Sequence, residues 1–206
     1  IFKNDPYTFY QSPANSKEYL AHGRDPLFPP WKDTAQINFY SREARNYLTS
    51  VLIELADLCD GVRCDMAMLP LNNIFYNTWI GVLKKYGFEK PEKEFWEEAI
   101  AQVKIIRDDF IFIAETYWDL EWQLQNLGFD FTYDKRLTDR LVGGNIRSIK
   151  DHLSAEKTYQ DKSVRFLENH DEDRAIVKLG REKSIAAAVI TSTIPGIAFY
   201  FDGQCD

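Results

Sequence analysis

The sequence predicts an α/β protein in which short strands alternate with helices around a parallel sheet. Apolar residues recur at helical spacing in several segments, and short apolar runs lie between those segments. Residues 41–206 contain five strand-like runs and at least five helical segments. This alternation is compatible with an open sheet or with part of a closed barrel.

Composition limits the classes of partner. The chain has 206 residues, 45% of them hydrophobic and 15% aromatic, which is enough for a sizeable core. Its net charge of −7 argues against nucleic acid and against an anionic membrane. The longest apolar stretch, residues 185–190, is far shorter than the roughly 20 residues of a membrane span. Cys59, Cys64 and Cys205 lack metal-like spacing and favour a reducing compartment such as the cytoplasm, although one disulfide plus a free thiol also fits.

The first 40 residues differ from the rest. They lack a sustained period and contain five of the eight prolines, which is typical of a long irregular excursion. Aromatic residues within it favour an ordered, functional segment; they include Phe2, Tyr7, Phe9, Tyr10, Phe28 and Trp31.

From Ser41 onward the elements alternate. Ser41 is a suitable N-cap, and the apolar residues that follow it form one helical face. Gly128 and the Pro195-Gly196 pair mark an expected helix end and a turn. Helices are predicted from residue 41 to about 58 and at residues 72–86, 94–106, 120–127, 145–159 and 181–193. Strands are predicted within residues 60–67 and at residues 110–114, 129–133, 163–167 and 197–201.

Charged side chains follow three of the predicted strands. Arg63 and Asp65 end the first strand, Glu115 directly follows the second, and His170 and Asp171 follow the fourth. In parallel βα architectures the functional groups lie at the carboxyl ends of the strands. We therefore expect these five residues to meet at one rim.

The two best placed carboxyl groups are expected in contrasting environments. Arg63 and Asp65 face the same side of a strand, and the guanidinium would keep the acid ionised, as suits a nucleophile. Glu115 follows an apolar run, which would favour its neutral form and suit a proton donor. Glycoside hydrolysis requires such a pair. Asp171 and His170 could bind the sugar hydroxyls and stabilise the distorted transition state.

Each of these residues is also compatible with a simpler role. Asp65 or Glu115 could simply be solvated, and Arg63–Asp65 could be a structural ion pair. Asp65, Glu115 and Asp171 could instead bind Mg²⁺. This alternative would require a Lys or His base at another strand end, and Arg63 would repel the metal. His170 could merely hydrogen-bond to the backbone. His22 and His152 are expected at the surface, and Phe129 and Tyr133 are expected in the core.

These segments resemble three of the four short signature regions of the α-amylase family, glycoside hydrolase family 13. Gly-Val-Arg-Cys-Asp-Met-Ala at residues 61–67 resembles the second region. Ile-Ala-Glu at residues 113–115 resembles the third, and Phe-Leu-Glu-Asn-His-Asp at residues 166–171 resembles the fourth. The three occur in the family's order.

The resemblance implies a role for each residue. Asp65 would be the nucleophile, oriented by Arg63, and Glu115 the general acid/base. Asp171 and His170 would bind the sugar and stabilise the transition state. Substrate-binding residues would further include Arg174, which lies where many members carry an arginine, and the candidate sugar-stacking residues Tyr117, Trp118 and the aromatics of residues 1–40.

The implied fold is a partial (β/α)₈ barrel. Residues 41–206 would supply barrel strands four to eight, and residues 1–40 would be part of the domain B excursion. The first signature region and strands one to three are absent from the sequence, and the chain begins with Ile1. We therefore expect the missing N-terminal barrel half to be a partner of this segment, which would be poorly active alone.

The implied function is a retaining glycoside hydrolase acting on α-glucosidic bonds of oligo- or polysaccharides. The chemistry would need no cofactor, and a structural Ca²⁺ ion is compatible with the family. Met68-Leu69 replaces the Lys-His pair of many starch α-amylases, which leaves the linkage and chain length open. The alternatives are an α-glucosyl transferase or isomerising enzyme of the same family, and a non-catalytic barrel segment that binds sugars or partners.

Overall fold

The computed structural model describes residues 5–205, which form two compact units. One unit comprises the described residues up to Leu58 together with Leu69–Asp108, and the other comprises Cys59–Met68 and the described residues from Asp109 onward. In chain order the elements are β1 (Phe9–Gln11), β2 (Tyr19–Ala21), α1 (Arg42–Ala56), β3 (Gly61–Cys64), α2 (Asn72–Tyr86), α3 (Phe95–Ile106), β4 (Ile111–Ala114), α4 (Glu121–Asn126), β5 (Phe131–Tyr133), α5 (Lys135–Gly143), α6 (Ile146–Leu153), α7 (Lys157–Asp161), β6 (Ser163–Arg165), α8 (Ala175–Leu179), α9 (Arg181–Thr193) and β7 (Ile197–Ala198).

The first unit combines an antiparallel strand pair with helices α1, α2 and α3. Strands β1 and β2 pair with Phe9 opposite Ala21, and α1 packs on α3. The N-cap predicted at Ser41 is present, because its side chain accepts a hydrogen bond from the Ala44 N–H. A buried cluster forms the core of this unit: Phe9, Tyr40, Phe75, Trp79 and Leu83.

The aromatic residues of the N-terminal excursion do not all have the exposure that sugar stacking requires. Tyr7 and Phe28 are 73% and 64% exposed, whereas Phe9 is only 7% exposed and belongs to the core. Phe2 lies outside the described residues. The boundary at residue 40 and the domain B assignment stay predictions.

The second unit contains a five-stranded sheet in the order β3-β4-β5-β6-β7. Every neighbouring pair is parallel, and the strands follow one another in chain order. The α/β class and the parallel sheet predicted from the sequence are therefore confirmed.

The two faces of this sheet have different neighbours. Tyr133, Val164 and Phe166 form a buried cluster on one face. On the other, the Gln125 side chain of α4 donates a hydrogen bond of 2.9 Å to the Thr132 hydroxyl. Because successive side chains of a strand point to opposite faces, residues adjacent in β5 contact different layers.

Several helix boundaries differ from the sequence prediction. The helix predicted over residues 145–159 is two helices, α6 and α7, and the Ser154 hydroxyl between them donates to the Lys150 carbonyl. Helix α5 was not predicted; the Asp134 carboxylate caps it by accepting a hydrogen bond from the Leu137 N–H. Helix α8 was also missed, and β7 ends at Ala198, three residues earlier than predicted.

Two further predictions can be compared with the structure. None of the described helices has the length and apolar content needed to cross a bilayer. The cysteines are all free thiols; Cys64 is buried, and burial raises the pKa of its thiol to about 12.

Substitution of Gly61 tests how closely β3 approaches β4. A Cβ at Gly61 would lie 2.5 Å from the Ile111 carbonyl oxygen. We expect Gly61→Ala to lower the free energy of unfolding by about 1–3 kcal/mol through this overlap. Gly143→Ala is the matched control, because a Cβ there meets nothing within 4 Å, and it should raise stability by up to about 1 kcal/mol. Urea unfolding measures both; a Gly61→Ala protein as stable as the wild type would contradict the close approach.

Candidate active site

The pairing of β3 with β4 determines which side chains meet at the sheet edge. Arg63 lies opposite Ile113, and the pairing continues beyond the strands as Glu115 N–H donates to the Cys64 carbonyl at 3.0 Å. The Ala67 N–H in turn donates to the Glu115 carbonyl at 3.0 Å. The chain after β3 therefore lies against the residue that follows β4.

Arg63 contacts two carboxylates at once. Its Nη1 atom forms an ion pair with Asp65, as the sequence predicts, and its Nη2 atom lies 2.9 Å from Glu115 Oε1. The Asp65 side chain is 76% exposed and that of Glu115 is 3% exposed. The structure thus brings three of the predicted site residues together and gives the two carboxyls opposite exposure.

The charge of Arg63 is maintained in this setting. Burial disfavours the charged guanidinium, but the negative charge of Glu115 and the hydrogen bonds to Asp65 and Tyr133 outweigh it and raise the pKa of Arg63. The guanidinium also lies 5.6 Å from the centre of the Tyr133 ring. Tyr133 was expected to be core; it is buried and also supports Arg63.

The apolar surroundings predicted for the Glu115 carboxyl are wrong. The side chain is buried, but Met66 N–H donates to Oε2 at 2.6 Å and the Tyr117 hydroxyl donates to Oε1 at 3.0 Å. With Arg63, three positively polarised groups meet this carboxylate. The apolar run before Glu115 lines the sheet, whereas the residues after each strand supply these donors.

Tyr117 is a hydrogen-bond donor to Glu115 whose own proton is firmly held. Burial raises the pKa of Tyr117, and the negative charges of Glu115, Asp171 and Glu172 raise it further. The phenol therefore stays a hydrogen-bond donor.

His170 and Asp171 form an exposed pair. His170 Nε2 lies 3.1 Å from Asp171 Oδ2, and both side chains are more than half exposed. The Asp171 N–H donates to Asn169 Oδ1 at 2.9 Å, and Asn169 is buried. Asn169 thus fixes the backbone before Asp171, a role that sequence reasoning did not assign.

Arg174 joins the loop after β6 to the residues after β7. Its Nη1 atom lies 2.8 Å from Glu168 Oε1 and 2.6 Å from the Asp202 carbonyl oxygen, and its guanidinium stacks 4.9 Å from the Phe201 ring. Glu168 is buried and also accepts from the Ala175 N–H. These contacts indicate that Arg174 holds the loop after β6 in place, and its predicted role in sugar binding stays a prediction.

Backbone strain is concentrated beside the two carboxyls. Among residues 5–205, the non-glycine residues with positive φ are Met66 at 43°, Trp118 at 64° and Asp119 at 60°. Such conformations cost on the order of 1–3 kcal/mol each and cluster at functional sites. Met66 follows Asp65 directly, and Trp118, which is half-buried, lies three residues after Glu115.

A buried ionic cluster lies behind β5. Asp134 pairs with Arg165, and both side chains are at most 1% exposed. His152 Nε2 lies 2.8 Å from Asp134 Oδ2, so the expectation that His152 is a surface residue is wrong. Asp134 follows Tyr133 directly, so it points to the opposite face from Arg63 and serves the helix layer.

Within residues 5–205, no group of three or more His, Cys, Asp or Glu side chains is placed to hold a metal ion. The Mg²⁺ alternative therefore has no ligand set in the described part of the chain. The calcium expectation stays a prediction.

Comparisons with known proteins extend these observations. No protein-family model matches the chain. The α-amylase MalA of Haloarcula japonica is 30% identical over 181 residues, covering 84% of this chain and 24% of that protein. The solved α-amylase from Lactobacillus plantarum has 21% identity and a TM-score of 0.61, over 98% of this chain and 46% of its own. Cyclic α-maltosyl-(1→6)-maltose hydrolase from Arthrobacter globiformis, in complex with maltose, has 19% identity and a TM-score of 0.63, over 86% and 38%.

The chain is an α/β protein with a parallel sheet of five strands and polar residues after the strands, and it matches the C-terminal part of the barrel in the solved α-amylase. These matches support an assignment of the chain to the α-amylase family, as its three signature-like segments imply. It spans about a quarter of the curated relative and less than half of each of these two solved proteins.

Glu121, which begins α4, gives a pH prediction. It is 4% exposed, and burial raises the pKa of its carboxyl to about 7. Because the folded protein holds this proton more tightly than the unfolded chain, stability falls as the pH rises from about 4.5 to about 7. We expect Glu121→Gln to exceed the wild-type free energy of unfolding by about 2–3 kcal/mol at pH 8, and by much less at pH 5. Urea unfolding of both proteins at pH values from about 5 to about 8 measures this difference in the free energy of unfolding.

Glu182→Gln is the control for Glu121→Gln. Glu182 is an exposed carboxylate in the first turn of α9. Its removal should leave the pH dependence of stability as in the wild type. Parallel curves for Glu121→Gln and the wild type would show that Glu121 is ionised without cost in the folded protein.

Proposed function

We propose that this chain carries the catalytic residues of a retaining glycoside hydrolase that acts on α-glucosidic bonds of oligo- or polysaccharides. The observation that carries the proposal is the Arg63 guanidinium, which contacts both Asp65 and Glu115. A retaining mechanism needs two carboxyls close together with different roles. The exposed Asp65 and the buried Glu115 meet that need.

Asp65 is the proposed nucleophile. Its carboxylate is exposed, so it is open to an incoming sugar, and it forms an ion pair with Arg63. An oxygen of Asp65 attacks the anomeric carbon from the face opposite the leaving sugar, and the glycosidic C–O bond breaks. The product of this step is a covalent glycosyl-enzyme of inverted configuration, which water then hydrolyses with a second inversion.

Glu115 is the proposed acid/base. It gives a proton to the departing glycosidic oxygen and then takes one from the attacking water. Its position is fixed from both sides, because Met66 N–H contacts one carboxyl oxygen and Tyr117 contacts the other. The acid thus needs no reorientation between the two steps.

The remaining predicted residues would bind the sugar. Asp171 and His170 are exposed and hydrogen-bond capable, so they can engage ring hydroxyls next to the reacting carbon. Trp118 and Tyr117 offer half-buried aromatic rings on the loop after β4. The maltose complex of the Arthrobacter relative supports a carbohydrate substrate of this kind.

The proposal extends to the rest of the barrel. Strands β3 to β7 would be barrel strands four to eight, and residues 1–40 would be part of domain B. Strands one to three would come from the missing N-terminal half. In this arrangement the N-terminal half would help to enclose Asp65, which is exposed in the structure.

Substitution of the two carboxyls tests the chemistry. We expect Asp65→Asn and Glu115→Gln to lower kcat/KM on maltotriose by about 10²–10⁴-fold, in the protein that contains this chain. With α-glucosyl fluoride, whose leaving group needs no proton, Glu115→Gln should recover much of its kcat/KM, which reports the first step, and Asp65→Asn should not. The first product observed by proton NMR should be the α anomer.

Asp151→Asn is the matched control, because Asp151 is an exposed carboxylate of α6 that pairs only loosely, at 4.0 Å, with Arg147. It should have wild-type kinetics. Wild-type activity of Asp65→Asn, or a β anomer as first product, would refute the retaining mechanism. Transfer products in place of free sugar in dilute aqueous solution would instead indicate the transferase alternative.

A further inference from the structure

The loop of residues 116–120, which joins β4 to α4, holds a strained backbone. Trp118 and Asp119 are consecutive non-glycine residues with φ of 64° and 60°. L-residues seldom adopt this region, and two in succession persist only where other contacts fix them. The Leu120 N–H donates to the Tyr117 carbonyl at 3.4 Å, a long hydrogen bond that holds the turn only weakly.

Arg136 supplies the fixing contact. Its Nε and Nη2 atoms donate to the two carboxylate oxygens of Asp119, the two-pronged geometry that a guanidinium favours. Arg136 belongs to the first turn of α5, whose start is anchored by the buried Asp134 and its partner Arg165. A fixed helix end therefore presents the guanidinium to the loop.

The opposite end of the same loop reaches the proposed acid/base. Tyr117 lies two residues before Asp119, and its hydroxyl donates to Glu115 Oε1 at 3.0 Å. The backbone angles of Trp118 and Asp119 determine where the turn leaves Tyr117. A change in the loop conformation would therefore move the phenol relative to the carboxyl.

We propose that Arg136 is a positioning residue: through Asp119 it holds the strained loop in the conformation that places Tyr117 on Glu115. The proposal rests on the proposed function of Glu115. Arg136 and Asp119 are 45% and 64% exposed, and ion pairs of that exposure contribute little to global stability. Their removal should therefore change the loop and the activity, but not the fold.

Hydrogen exchange tests the loop directly on this chain. In Arg136→Ala and in Asp119→Asn, exchange of the amides of residues 117–121 should rise about tenfold or more, because the loop opens locally. Arg136→Lys keeps the positive charge but loses the two-pronged hydrogen bonding to Asp119. Its exchange rates should therefore lie between those of these variants and those of the wild type. Arg147→Ala, which removes the exposed ion pair with Asp151 on α6, should leave the amide exchange rates of the loop as in the wild type.

Kinetics test the route through Tyr117. In the protein that contains this chain, Arg136→Ala should lower kcat on maltotriose about tenfold with a smaller change in KM, since the loss concerns the reacting step. Tyr117→Phe should lower kcat to a similar extent. If Arg136 acts through Tyr117, Arg136→Ala added to Tyr117→Phe should cost little more, a non-additivity that a purely structural role does not produce.

Three outcomes would overturn the proposal: wild-type loop exchange in Arg136→Ala, unchanged kcat in that variant, or full additivity with Tyr117→Phe. Failure of the proposed function has a different signature. In that case Glu115→Gln has wild-type activity, whereas the exchange data still report whether Arg136 holds the loop.

Discussion

The Arg63 guanidinium is the contact on which the rim of the sheet depends. Asp65 and Glu115 both lie against this group, so one cation separates two carboxyls that would repel each other whenever both are ionised. Arg63 can occupy this position because β3 and β4 run parallel in register and because Tyr133 of β5 supports the guanidinium from the side. Three neighbouring strands therefore cooperate to hold two carboxyls of opposite exposure.

The loops after β3 and β4 complete the environment that the strands begin. Met66 and Tyr117 both donate to Glu115, and each lies in or next to backbone with positive φ. A relaxed turn at either place would direct the N–H or the phenol elsewhere. The strain is thus linked to the geometry of the carboxyl, and the regular sheet beneath supplies the rigidity that keeps the strained residues in place.

Local patterns predicted the sheet and the identity of the rim residues, but not their contacts. Arg63, Asp65 and Glu115 were found because polar residues directly after apolar runs mark strand ends. The surroundings of Glu115 were predicted wrongly, because the Met66 N–H comes from a residue 49 positions away. The burial of His152 was missed for the same reason: its partner Asp134 lies 18 residues away in the chain. Sequence periodicity predicts on which face of a helix or strand a side chain lies. It does not predict which residue, distant in the chain, forms a hydrogen bond with that side chain.

The shared guanidinium also matters for the two-step mechanism that we propose. In the free protein Arg63 contacts two carboxyls, one exposed and one buried. In the proposed first step Asp65 forms a glycosyl ester and loses its charge, so its pairing with Arg63 weakens, whereas the contact between Arg63 and Glu115 does not depend on that bond. Glu115 also keeps the Met66 N–H and the Tyr117 hydroxyl as hydrogen-bond donors. Its carboxyl would therefore stay in place for the second step, in which it takes a proton from the attacking water.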